Sequence, residues 1–340
     1  MTATAFAPSL FCPPLLRQCR VALGDQVLRL QDEPPAILKG LYRLGVLVVT
    51  TFASGGRVSQ SMRYPAVTDG SWQLECRGEH CRLSHQLEVS QWHSVMAVLA
   101  PVADLAPRSL LFFDRQGQPV QQMAVAPESG GLAFEELVCA MLHPDQRHLA
   151  YVAEGGLTAV ADAPPRMRAV PPAPLPVVEV ERSWSHGDDE AFRALLEKVG
   201  DRRELLYQAV RDKFACPARL ETVPSLLEMA AQRGSALTLC TGNRGVRLCM
   251  SAPWSAPRWQ GSCCHLVHNG VMVSLDMGRA ASLWRLRRPG GGRVVTALEA
   301  LDSSGQWLWT LSAGEGDEDG WLALLEQALI RDGRPGMRMA

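Results

Sequence analysis

No excess of one charge runs through this sequence, in which 34 basic residues stand against 35 acidic ones. That balance gives no electrostatic footprint for nucleic acid, which needs a basic face. No run approaches the ~20 apolar residues of a membrane-spanning helix, so no stable membrane insertion is expected. The N-terminal "MTATAFAPSLFCPPLLRQCR" has no basic n-region and its short apolar stretch is cut by prolines, so it does not read as a signal peptide. These absences predict a cytoplasmic protein whose ten cysteines are reduced, the buried ones acting as small hydrophobes. Catalytic signatures are missing too. "PGGGR" at 289–293 joins two β-rich runs and leads into no helix, so it makes no phosphate cradle. No Ser-His-Asp or paired-carboxylate arrangement is supported by spacing.

What is present is a repeat. "SLLFFDRQGQ" from Ser109 and "ALEALDSSGQ" from Ala297 share one silhouette, with Asp114 and Asp302, Gly117 and Gly305, and Gln118 and Gln306 each 188 positions apart. One Asp-x-x-Gly between apolar runs is only what a hairpin needs. The offset recurs, however. "SVMAVLAP" lies 188 residues before "SLWRLRRP", and the helix-like "FEELVCAML" and "WLALLEQAL" are 187 apart. Strand, strand, hairpin and closing helix return in one order, which predicts a duplication. A length of 340 residues suits two such domains. The repeats are expected at 1–160 and 181–340, joined by the proline-rich connector 161–180.

The second repeat opens with a helix pattern at Phe192, Leu195, Leu196 and Val199, and "VPSLLEMAAQRG" predicts another, begun at Pro224 and closed by Gly234. Short β-rich runs follow, then a final helix. Front helices in the first repeat shrink to fragments around "PAILKGLYRL". Helices first and a meander after predict an α+β fold in which each half is a large antiparallel sheet flanked by helices.

With "GNRG" after a strand, "WRLRRP" before a Gly-rich turn, and "DGWLALLEQAL" at the end, the second repeat resembles the C-terminal half of the hemin-degrading factor family, HemS-like hemin transport proteins. "QWHSVMAVLAPVADLAPRSLLFFDRQGQPVQQM" resembles that family's N-terminal half. The resemblance implies a duplicated cytoplasmic protein that binds heme from an uptake system in its C-terminal half, for trafficking or degradation in heme-iron acquisition. Heme-degrading activity is left open. So are a heme-acceptor protein and a homodimer as partners. The rival expectation is a non-catalytic scaffold that no longer binds heme and acts through protein contacts.

A heme pocket needs an axial ligand, cations for two propionates and an apolar slot. The family's proximal His falls at Asp189 in "WSHGDDEAFRALL", so His186, three residues earlier, is the substitute ligand candidate. Gln86 stands where the family has Arg, Leu248 and Met250 where it has Gln and His, and "SLD" at 274–276 replaces His-Leu-Arg. Met250 is a candidate thioether ligand or core filler. Arg287 and Arg288 hold the family's Arg-Lys-Pro position. Strand alternation sends Arg285 and Arg287 to one face, Trp284 and Leu286 to the other. The weaker zinc alternative gathers Cys76, Cys81 and His85 with Cys263, Cys264, His265 and His268, at separations that match no standard knuckle. Cys12-Pro13 and Cys216-Pro217 are Cys-Pro dipeptides of the kind that bind heme in some proteins, at a frequency chance accounts for.

Overall fold

The computed structural model describes residues 15–146 and 177–331, apart from 23, 25, 67–71, 79–80, 103–104, 130, 187–191, 193–194, 197–202 and 291–292. The first half of the chain runs α1 (Leu15–Val21), β1 (Val27–Arg29), α2 (Pro34–Gly40), β2 (Val46–Ala53), β3 (Gly56–Arg63), β4 (Gln73–Gly78) and β5 (Cys81–Leu87). It continues through β6 (Trp92–Val98), β7 (Ser109–Asp114), β8 (Pro119–Val125) and α3 (Gly131–Ala140). The second half runs α4 (Val177–His186), α5 (Arg203–Ala209), β9 (Ala215–Ala218), α6 (Thr222–Arg233), β10 (Leu237–Gly242) and β11 (Val246–Ala252). After these come β12 (Arg258–Gln260), β13 (Cys263–His268), β14 (Val271–Asp276), β15 (Ser282–Gly290), β16 (Arg293–Leu301), β17 (Trp307–Ala313) and α7 (Glu318–Arg331).

Two antiparallel sheets result, ordered β1-β6-β7-β8-β2-β3-β14-β13-β12 and β4-β5-β11-β10-β17-β16-β15-β9. Read from opposite ends, these are one order: β1 answers to β9, β6 to β15, β7 to β16, β8 to β17, β2 to β10, β3 to β11, β14 to β5 and β13 to β4. The α+β duplication read from the sequence is therefore present in eight matched strands, with β12 of the nine-stranded sheet left over. The hairpins, though, are exchanged. β5, encoded in the first half, pairs with β11 from Leu87↔Val246 to Arg82↔Ser251. β14, encoded in the second half, pairs with β3 from Ser59↔Met272 to Gly56↔Leu275.

The chain divides into two compact units, one of residues 1–49, 61–70 and 89–165, the other of 50–60, 71–88 and 166–340. Repeat boundaries at 160 and 180 thus follow covalent order, whereas the compact units interleave along it. Val177–Val180, at the end of the proline-rich 161–180, already belong to α4. Proline is excluded from a helix interior, and the helix begins directly after Pro176, with Val180 and Trp184 buried four residues apart. Residues 161–176 lie outside the described residues. Among the described residues no helix is long and apolar enough to cross a membrane.

In the first unit, Phe112 and Phe113 are fully buried in β7 and Trp92 lies 4.8 Å from the Phe112 ring. The turn after β7 is held by Asp114, whose Oδ1 accepts from the Gln116 and Gln118 N–H groups at 2.9 and 2.8 Å. In the second unit Asp302 does the same for Ser304 and Gln306 at 2.8 and 3.0 Å. Gly117 and Gly305 close these turns at φ 72° and 79°, where a Cβ is unfavourable. The register slips at Phe112/Phe113 in one hairpin and at Ala300/Leu301, the matching pair, in the other. α6 ends as predicted: Gly234 adopts φ 64° and donates its N–H to the Ala230 and Ala231 carbonyls.

Candidate functional site

Alternation gives the eight-stranded sheet two unlike faces. Leu83, His85, Leu87, Val246, Leu248, Met250, Leu237, Leu239 and Leu311 are buried on one. Facing the other way are Arg82, Ser84 and Gln86 of β5, Arg247, Cys249 and Ser251 of β11, Thr238 and Cys240 of β10, and Thr310 of β17. At the β15 end this second face lies under helices, where Trp184, Leu206 and Tyr207 cluster with Trp284, Leu286 and Leu301. At the β5–β11 end it is polar, with Gln86 and Arg247 exposed.

Between the two regions sits Glu299, buried to 3%. Its Oε1 accepts from Arg203 Nη1 at 2.9 Å and from the Tyr207 hydroxyl at 2.5 Å. Its Oε2 accepts from Thr310 Oγ1 at 3.1 Å, and that oxygen accepts in turn from Trp307 Nε1 at 2.9 Å. A buried carboxylate is stable only when paired and hydrogen-bonded, and this one is both. Burial works against the Arg203 charge, but Glu299 outweighs it and the pKa rises. Burial, then the Glu299 charge, pushes the Tyr207 hydroxyl well above its ordinary value, so it stays a donor. The Trp307 ring carries two guanidiniums, Arg203 at 5.2 Å and Arg247 at 5.6 Å from its centroid. Cation and aromatic face attract at such distances. Arg82 adds a further cation, 3.4 Å from Glu75 and 3.3 Å from Glu315 on the surface.

Cys240 and Cys249 are direct cross-strand partners and form a disulfide on this polar face. The expectation that all ten cysteines are free thiols is corrected here: register places two of them opposite each other. Cys139, Cys216, Cys263 and Cys264 are free.

The residues singled out from sequence are scattered. His186 is the last residue of α4, exposed, with Nδ1 3.1 Å from the Arg182 carbonyl. Val180, Glu181 and Trp184 mark the buried side of that helix, and a 100° step per residue puts His186 on the opposite side. Asp189 lies outside the described residues. Met250, 2% exposed, belongs to the buried face opposite Arg247. Arg287 takes part through its backbone, donating N–H to Phe214 O at 2.8 Å and accepting from Trp184 Nε1 at 2.6 Å. Arg288 alternates to the helix-covered face and lies 5.8 Å from the Phe192 ring centroid. Of the described members of that set, only Arg288 therefore shares a face with the Arg203–Arg247 pair.

The zinc alternative finds no support in the geometry. No cluster of three or more His, Cys, Asp or Glu able to hold a metal forms among the described residues. The side chains of Cys76 and Cys81 lie outside the described residues. His85 is buried with Nε2 2.6 Å from Gln60 Nε2, and burial lowers its pKa to about 4.

Arg203, Arg247, Glu299 and Trp307 were missed by sequence reasoning. Glu299 carried a usable signal: a lone carboxylate inside the apolar "VVTALEAL" must find a buried partner. Arg203 and Tyr207, four apart in "RELLY", stand on one helix face, as joint ligands of one group must.

Comparison with known proteins returns no matching family model. The hemin transport protein HmuS of Yersinia pestis is 22% identical over 321 residues, covering 91% of this chain and 88% of that protein. Apo-PhuS, a heme-binding protein from Pseudomonas aeruginosa, superposes with a TM-score of 0.74 at 22% identity over 91% of this chain and 88% of that one. ChuS, an E. coli heme oxygenase, gives 0.73 at 19% identity over 94% and 92%. At these identities, likeness to the solved structures is one of fold.

Proposed function

We propose, from the premise that the chain is a HemS-like protein of the hemin transport family, that it binds heme on the polar face of its eight-stranded sheet. The setting is cytoplasmic heme trafficking or degradation in heme-iron acquisition. One observation carries the location: two guanidiniums, Arg203 and Arg247, share the Trp307 ring where the helix-covered part of the face gives way to its open part. The chemistry suits the ligand. Arg203 is paired with Glu299, and Arg247 and Arg82 lie toward the exposed side, Arg82 in surface ion pairs with Glu75 and Glu315 for which carboxylates of an anionic porphyrin would substitute. Trp307 places an aromatic ring between the two guanidiniums.

Heme, when bound, supplies the iron chemistry. This chain contributes the platform, the propionate partners and the orientation. By the resemblance Asp189 falls where the family carries its proximal histidine, and binding is the activity proposed.

Hemin titration followed at the Soret band tests the reading. Saturable one-to-one binding is expected, with Arg247→Ala weakening it about tenfold, the worth of one lost charge-assisted contact. An unsaturable, scatter-like response in wild type would overturn heme binding and leave the rival, a scaffold that retains the duplicated sheets and works through protein contacts.

A further inference from the structure

We infer that Cys240 and Cys249 form a redox-active pair, a disulfide that opens and closes within the folded sheet by exchange with a dithiol, with Cys249 as the sulfur that the dithiol attacks. The inference goes beyond the heme-binding reading and stands whether or not that reading holds.

The duplication shows the bond to be dispensable. At the matching places of the other copy, 190 positions earlier, stand Thr50 on β2 and Ser59 on β3. Their hydroxyl oxygens are 2.9 Å apart, a hydrogen bond where the second copy has a covalent one. The surroundings match as well. Arg57, two residues before Ser59, lies 5.3 Å from the Phe52 ring centroid, and Arg247, two residues before Cys249, lies 5.6 Å from that of Trp307. One copy thus keeps this strand pair in place with a hydrogen bond between side chains, so the backbone does not require the sulfur–sulfur bond.

The ladder agrees. β10 and β11 pair from Leu237↔Ala252 to Gly242↔Arg247, and both are interior strands, flanked by β17 and β5. Opening the disulfide frees no sheet edge. The bond also closes a short loop, at a sequence separation of 9, and the constraint that a disulfide places on the unfolded chain grows with loop length. In a reducing compartment a disulfide is characteristically transient, catalytic or redox-sensing.

Access distinguishes the two sulfurs. Cys240 is 7% exposed, whereas Cys249 is half-buried on the polar face, with Ser84 opposite it on β5 and Ser251 two residues along its own strand. Arg247, exposed on the same strand face, is a cation on the approach of an attacking thiolate. The exchange balances. A thiolate of the dithiol bonds to the Cys249 sulfur, and Cys240 leaves as a thiolate and takes up a proton. The second thiol of the reductant then gives up its proton, attacks its own sulfur in the mixed disulfide and expels Cys249, which is protonated in turn. The dithiol has lost two electrons and two protons and become a disulfide, and the pair has become two thiols. Exchange with an oxidised disulfide runs the same steps in reverse.

In the experiment, the wild-type chain is equilibrated in stepped ratios of reduced to oxidised dithiothreitol and trapped with N-ethylmaleimide. Labelling of Cys240 and Cys249 is read by peptide mass spectrometry, with circular dichroism recorded at each step. Both cysteines should pass together from unlabelled to labelled in one two-electron transition while the fold signal stays constant. A pair that remains oxidised in the fully reducing buffer until urea unfolds the chain would be a structural staple and overturn the inference. So would a pair that remains labelled in the fully oxidised buffer. The double variant Cys240→Thr, Cys249→Ser writes the first copy's residues into the second and should fold as the wild type does; loss of its fold would overturn the inference as well. Single variants locate the attack. With an aromatic disulfide as probe, followed at the same two peptides, Cys249 in the Cys240→Ser variant should react at least about tenfold faster than Cys240 in the Cys249→Ser variant. Equal rates would overturn the assignment of Cys249. None of these readouts uses hemin, so failure of the hemin titration and failure of this inference are separate results.

Discussion

The two hairpins built on Asp114 and Asp302 differ where one would expect a duplicated protein to diverge, and agree where it could not. Turn bonds, positive-φ glycine and register slip coincide. Beside the turn, the second hairpin sets Glu299 opposite Thr310, whereas the first sets Leu111 opposite Gln122. Gln122 donates to Ser109 at 2.9 Å and no carboxylate stands there. Backbone conformation is shared because hairpin closure demands it. The side-chain layer is free to become a charged network in one copy and a neutral core in the other.

The sharpest way to break this contrast is to write the first copy's residue into the second. Glu299→Leu leaves Arg203 largely buried without its carboxylate and the Tyr207 hydroxyl without an acceptor. Removing one member of a buried pair costs about 3–5 kcal/mol. Urea unfolding should show a loss of that size, and Glu299→Gln, which keeps an acceptor oxygen, a smaller one. A loss under ~1 kcal/mol would mean that the network is ornamental to the fold.

Acid should act next most strongly, and through the exchanged hairpin. His85, on β5, is held neutral by burial with its pKa lowered to about 4. A depressed histidine contributes stability that is complete above its unfolded value near 6.5 and is lost as pH falls toward the folded value. Between pH 6.5 and 4 the stability of the wild type should drop by about 3 kcal/mol from this group, at about 1.4 kcal/mol per pH unit. In His85→Leu that slope should flatten. Unchanged pH dependence would show that this histidine is open to water in the folded state.

How much of this was legible depended on range. The Asp-x-x-Gly turns, the Gly234 cap and the separation of Trp284 and Leu286 from Arg285 and Arg287 are local, and the sequence carries them. The hairpin exchange is not local: β5 satisfies its ladder as well against β11 as against a strand of its own half, so no residue pattern distinguishes the two. Met250 and Cys249 show the same limit on one strand. Alternation says that they part company, but both parities of "VRLCM" hold apolar residues, so the inward face is decided only by the layer packed against it. For His186 the sequence pattern does not fix whether it lies on a helix or just ahead of one, and the structure makes it the last residue of α4, which starts at Val177.

Smaller effects compare the turns themselves. Asp114→Ala and Asp302→Ala each remove two backbone N–H acceptors, worth about 1 kcal/mol per net bond, so each should lower unfolding free energy by roughly 2 kcal/mol. Asp302 also accepts from Ser304 Oγ at 2.7 Å, and Ser304→Ala should lower the urea midpoint by that one bond, about 1 kcal/mol. An unchanged midpoint in Ser304→Ala would reduce that bond to nothing.

The glycines give the finest discrimination. At φ 72° and 79°, alanine at Gly117 or Gly305 pays the same left-handed backbone penalty of about 1 kcal/mol. Their surroundings differ. A Cβ on Gly117 would come within 2.8 Å of Leu16 Cδ2, while one on Gly305 would find its nearest neighbour, Glu204 Cβ, at an ordinary 3.6 Å. Gly305→Ala should therefore cost the backbone term alone, and Gly117→Ala that term plus whatever displacement of buried Leu16 requires. The pair of variants measures in one difference how tightly α1 is held over the first copy's turn, and a Leu16→Ala background should bring the Gly117→Ala penalty down to that of Gly305→Ala. Penalties that stay unequal in that background would place the asymmetry in the turn itself and end the claim that the two hairpins are one backbone solution.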